Sequence, residues 1–202
     1  MEILLMLGDA SRLVNEGLVA FQDAIASPQF LRPALLSCRT KLTVKAFLPQ
    51  MMKRGHGHIV TIAGSLGLLA AGCLEGYCAS QFAVVGFHEA LSHELKAKRV
   101  NSVKTTLVCP YFIDTGMFHG CGIRQELKSL LSPLKPDRFV KTAVQGILRN
   151  QHMICIPRVI YLAAVSKHLL PWDAQVLIQR FLGLDKCIPQ KAICYHSAVR
   201  KC

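Results

Sequence analysis

A chain of 202 residues is sized for one domain with a sizeable core, and 51% hydrophobic residues with a mean hydropathy of +0.34 exclude a largely disordered chain. It carries 24 Lys+Arg against 12 Asp+Glu, a net charge of +12, yet the basic residues are scattered and no aromatic-interleaved basic stripe appears. That excludes a nucleic-acid binder and fits a basic, partly membrane-facing protein. The nine cysteines are odd in number and make no CxxC pair, which reads as small buried hydrophobes in a reducing compartment.

Met1 to Asp9 holds five consecutive apolar residues behind an acid, and so reads as neither a signal peptide nor a membrane span. Residues 1–40 form a divergent amino-terminal segment, residues 41–185 one α/β domain, and 186–202 a tail without pattern. Leu42, Ala46, Phe47 and Met51 recur at helical spacing over Lys41–Lys53, with Pro49 a tolerated kink. A Gly55–Gly57 turn exposing His56 and His58 leads into the apolar, β-branched run His58–Ala63, a buried parallel strand. Gly64-Ser65-Leu66-Gly67 ends it and puts a hydroxyl at its carboxyl end, where open α/β sheets bind ligands.

Glu75 to Lys98 is a long helix on which Tyr77 and Gln81, four apart, share a face. Val103–Cys109 is a second strand, stopped by Pro110. Pro136–Leu148 is a helix with proline and acid in its first turn, and Met153–Pro157 a last short strand. Val159–Leu184 is too broken by charge and proline to span a bilayer; it reads as an interfacial amphipathic element with one tryptophan, or as a segment packed on the domain. Cys187, Cys194 and His196, like His56 and His58, lack zinc-site spacing, so no metal is expected.

Lys45-Ala-Phe-Leu-Pro-Gln-Met-Met-Lys53, Ser65, Tyr77-Cys-Ala-Ser80, Gly86-Phe-His-Glu-Ala90 and Cys109-Pro-Tyr-Phe-Ile-Asp-Thr-Gly-Met-Phe118 together resemble the short-chain dehydrogenase/reductases, in the retinol and 17β-hydroxysteroid dehydrogenase branch called family 16C. The resemblance implies a doubly wound, Rossmann-like parallel sheet, of which this chain carries the carboxy-terminal half. It implies NAD or NADP as cofactor and a hydrophobic alcohol or ketone, retinoid or steroid-like, as substrate. The expected place is the cytoplasmic face of the endoplasmic reticulum or a lipid droplet, without the family's amino-terminal anchor. A homo- or heterodimer would form through the helix pair Lys41–Lys53 and Glu75–Lys98. Tyr77 stands at the family's proton-relay tyrosine, Ser65 at the substrate-orienting serine and Gln81 at the family lysine. Pro110 and Thr115 stand on the cofactor side, and Met117–Leu134 is the expected lid. Leu36 falls where the family has a relay asparagine, Pro33 where it has a helix, and Leu13–Val19 where it has a strand-end asparagine motif.

Two departures decide the expected activity. A phenol with an ordinary pKa of ~10 is a poor base near neutrality, and the family's lysine lowers it. Gln81 keeps a donor but no charge, so Tyr77 is expected near or above its free value, with a loss of ~10²–10⁴-fold in acid–base catalysis. The Gly-rich strand-to-helix turn that receives a pyrophosphate is not found; Gly64-x-x-Gly67 and Gly116-x-x-x-Gly120 are isolated. The sequence therefore reads as an impaired or inactive NAD(P)-dependent oxidoreductase. The alternatives are an interaction protein that dimerises with intact relatives, or a pseudogene-like product. The strands Ile59–Ile62 and Thr105–Val108 are expected to leave an open sheet edge.

Overall fold

The structure is a computed structural model that describes Ile3–Leu7 and residues 33–72, 74–114 and 133–182; for Ile3–Leu7, residues 33–39 and residues 181–182 it describes the backbone alone. Thr115, most of the expected lid, the Leu13–Val19 segment and the Cys187–Cys194–His196 set lie outside the described residues.

Four strands form one sheet in the order β1 (Ile3–Leu7), β2 (Gly57–Ile62), β3 (Val103–Pro110) and β4 (Met153–Ile156). β2, β3 and β4 run parallel, with Ile59 beside Thr105 and Cys109 beside Cys155. β2 alternates its side chains between two buried faces. Ile59 packs with Val44, Leu91 and Leu95 from α1 (Pro33–Arg54) and α2 (Glu75–Ala97). Val60 and Ile62 pack with Phe139, Ala143 and Ile147 from α3 (Pro136–Leu148) on the opposite face. A strand covered on both faces has to read as a near-continuous apolar run, as β2 does. Helices on both faces of a parallel sheet make the fold doubly wound and Rossmann-like, with three parallel strands.

Three expectations change. The outer edge of β2 is not open: β1 lies antiparallel along it, from Ile3 beside Ile62 to Leu7 beside His58. Five consecutive apolar residues are long enough to pair with His58–Ile62, all of β2 but its first residue, and a sheet edge is a ready template for such a strand. Pro33 does not interrupt a helix but begins one, at the position where a missing N–H costs nothing. His58 is not an exposed turn residue; it is the second residue of β2, half-buried, with its Nε2 2.8 Å from Thr106 Oγ1. Burial first, then the charges of Lys104 and His56, hold its pKa below the usual value.

The carboxy-terminal run forms two helices, α4 (Val159–Leu169) and α5 (Trp172–Leu182), broken at Leu170-Pro171. Among the described residues no helix is long and apolar enough to cross a membrane.

Candidate active site

The site is built where β2 ends against the first turns of α2. Ala63 N–H still bonds Val108 O at 2.9 Å, and the chain then leaves the sheet in a single 3₁₀ turn, Ser65–Gly67, closed by Gly67 N–H to Gly64 O at 2.8 Å. Ser65 is buried in that turn. α2 starts at Glu75, an acid in the first turn of a helix where the backbone dipole favours it. Tyr77, one turn in, is half-buried against the core cluster of Ala63, Leu66 and Leu74.

Two glycines let the helix come this close. A Cβ on Gly67 would stand 2.7 Å from the backbone oxygen of Gln81, and a Cβ on Gly64 would stand 2.9 Å from the Tyr77 phenol oxygen. The turn and the helix are therefore in direct contact, and the Tyr77 hydroxyl lies over the residue that precedes Ser65. The structure thus places the Tyr77 hydroxyl and the Gln81 amide oxygen against Gly64, the residue before Ser65.

The new feature is what Gln81 does. It is fully buried, and its Oε1 accepts the Gly64 N–H at 2.5 Å. The amide oxygen thus ties the helix to the serine-bearing turn, while Nε2 is a buried donor with no partner among the described residues. A buried donor left unmade costs about 1–3 kcal/mol, so Nε2 is a standing invitation to an acceptor.

Pro110 is buried at the end of β3, beside Ile156, and Tyr111 N–H continues the ladder to Ile156 O at 2.8 Å. Tyr111 follows it into the same core cluster as Leu74 and Cys78, its ring 4.5 Å from that of Phe112. Its phenol oxygen is buried without a hydrogen-bond partner among the described residues, and burial pushes its pKa up to about 12. Sequence reasoning passed over this residue; the one signal was an aromatic directly after the proline at a parallel strand's carboxyl end. Among the described residues no group of His, Cys, Asp or Glu is arranged to hold a metal ion.

A parallel sheet covered on both faces carries a serine at a strand end and a tyrosine in the first turn of the next helix, and residues 40–125 match the short chain dehydrogenase family. The chain is similar to retinol dehydrogenase 10 of Homo sapiens and of Rattus norvegicus, each 52% identical over 185 residues that make up 90% of this chain and 54% of theirs. Retinol dehydrogenase 10-B of Danio rerio is 48% identical over 185 residues. The chain spans about half the length of these curated relatives. The fold is shared with a short-chain dehydrogenase from Streptomyces avermitilis, at a TM-score of 0.52 and 18% identity over 76% of this chain and 65% of that one. It is shared also with one from Sphingobium yanoikuyae in complex with NADPH, at 0.51 and 20% identity over 72% of this chain and 52% of that one.

Proposed function

We propose that this chain carries the substrate side of an NAD(P)-dependent alcohol or ketone oxidoreductase site whose proton relay is impaired at Gln81. The supporting observation is the Gly64–Gln81 bond. The residue at the family's lysine position is a neutral amide, fully buried, with its oxygen already committed to the backbone of the serine turn. It holds Ser65 and Tyr77 in register but supplies no positive charge to favour a phenolate at Tyr77. Ser65 would orient a carbonyl or hydroxyl oxygen, and Tyr77 would give or take its proton.

NAD or NADP is the cofactor class the family suggests, and it would supply or take the hydride when bound. Gln81 Nε2, a buried donor without a partner among the described residues, suits a ribose hydroxyl, and Pro110 and Thr115 would stand on the carboxamide side. The named relatives are retinol dehydrogenases, which supports a hydrophobic, retinoid-like alcohol as substrate; a steroid-like alcohol and peripheral contact with the cytoplasmic face of the endoplasmic reticulum or a lipid droplet are what the resemblance to family 16C implies. The test is turnover of retinol with NAD or NADP by the purified chain. No turnover above a Tyr77→Phe control is expected; robust turnover that Tyr77→Phe abolishes would overturn the impaired relay.

A second reading has one observation behind it. α1 packs on α2 through Val44, Leu48 and Met51 but leaves the apolar side chains of Leu42, Phe47 and Met52 exposed, open to contact with a second copy or an intact relative. Co-purification of a tagged and an untagged copy, lost on Phe47→Ser, is the expected result; monomers alone would remove this reading.

A further inference from the structure

The active site does not use the hollow on the other side of β4, of about 380 Å³, between α3, the β4 edge and the start of α4. Arg138, Arg149 and Arg158 line it, with Gln151 and Tyr161, and among the described residues no carboxylate does. The α3 contribution is one helix face: Arg138, Thr142, Gln145 and Arg149 recur at spacings of four, three and four. Among the described residues the recorded ion pair is Lys98–Glu94, which leaves the three guanidiniums without a carboxylate there. Three like charges around one hollow repel one another until an anion enters, and the guanidinium fork matches a phosphate. The hollow does not invite an added strand. Tyr161 Oη accepts the Cys155 N–H at 3.1 Å and donates to Met153 O at 2.7 Å, so a donor and an acceptor of that edge are already used.

A second observation says what kind of anion. Arg158 and Tyr161 lie on the same face of α4 as Leu162, Val165 and Leu169, at spacings of three, one, three and four. Leu162, Val165 and Leu169 are 71%, 56% and 76% exposed, and the stripe ends at Trp172, 73% exposed. An apolar stripe that starts in a cationic hollow is complementary to a molecule with an anionic head and apolar tails. We infer that the Arg138–Arg149–Arg158 hollow binds the phosphate of an anionic phospholipid while the Leu162–Trp172 face of α4 and α5 lies in the membrane interface. This deepens the membrane contact proposed above and rests on it.

Trp172 is the chain's single tryptophan, so its emission reports this face alone. The full chain, made by cell-free synthesis, is offered phosphatidylcholine vesicles, the same vesicles doped with phosphatidic acid, or soluble inorganic pyrophosphate. The expected result is flotation with the acidic vesicles and a blue shift of Trp172 emission. A basic residue at an anionic surface is worth roughly fivefold in partition, so Arg149→Gln with Arg158→Gln should weaken partition by roughly 25-fold. A distant pair of equal charge, Lys53→Gln with Arg54→Gln, should change it by about twofold or less through screened attraction. All four residues are exposed, and circular dichroism checks that the fold survives. Equal partition into neutral and acidic vesicles, or equal loss from both variant pairs, would overturn the phosphate site and leave the apolar contact standing. No partition into either vesicle would overturn both. Saturable pyrophosphate binding without vesicle partition would assign the hollow to a soluble phosphate and overturn the lipid.

Discussion

Gln81 and His88 show how single buried amides and imidazoles are held in this core. Both are fully buried on α2, and among the described residues each makes one side-chain hydrogen bond back to β2 or its turn and keeps a nitrogen without a partner. His88 Nδ1 lies 2.8 Å from Thr61 Oγ1. Burial first, then His152 and His58, lower its pKa from 6.5 to about 4. The sign follows from proton counts: below pH 6.5 the unfolded chain binds a proton at this histidine that the folded chain refuses until about pH 4. Stability is therefore fully present above pH 6.5 and falls between there and pH 4, by up to about 3 kcal/mol. The lowered pKa of His58 works in the same direction. Urea midpoints measured across this window should fall with pH, and His88→Gln should flatten the fall. A midpoint independent of pH would show that His88 is not buried as described.

At the scale of elements, the contact that matters is α2 against the turn after β2. Gly67→Ala places a methyl 2.7 Å from the Gln81 backbone oxygen, so the helix itself has to move; overpacking of this kind costs about 1–3 kcal/mol. Gly64→Ala meets first the tip of a side chain, the Tyr77 phenol, which can swing. Thermal melts should therefore show Gly67→Ala as the more destabilising change. A Gly64→Ala change costing more than Gly67→Ala would contradict the packing described.

Much of this element level was legible in the sequence. The β-branched run of β2 has one way to be buried on both faces, and the four-residue step from Tyr77 to Gln81 puts both side chains against Gly64, at the head of the serine turn. The Gly64–Gln81 bond was not legible, because a backbone N–H has no letter of its own and any amide at 81 could have faced solvent. Nor was β1: an apolar pentapeptide specifies neither its partner, some fifty residues on, nor its antiparallel direction. His58 misled because glycines on either side of His56 read as a turn that reaches further than it does. Tyr111 was lost among aromatic residues whose spacing after Pro110 carries no period.

For the whole molecule, the sheet carries its helices on both faces, and its charge is met by few acids: the net is +12. The 202-residue sequence offers no glycine-rich strand-to-helix turn for a pyrophosphate, and cradling by backbone N–H groups at a helix amino terminus is how this fold class holds one. Calorimetric titration of the chain with NADH or NADPH should give no saturable binding. A tight, stoichiometric isotherm would show that another stretch supplies the cradle.

The proposal that the relay is impaired is tested most directly in a chimera that joins an amino-terminal half of retinol dehydrogenase 10 to this chain from Lys41 onward. Retinol turnover is then compared for the parent sequence, Gln81→Lys, and Gln81→Lys with Tyr77→Phe. A cation one helical turn from the phenol should raise turnover by ~10²-fold or more, and the tyrosine change should abolish the gain. Equal turnover with glutamine or lysine at position 81 would contradict the account.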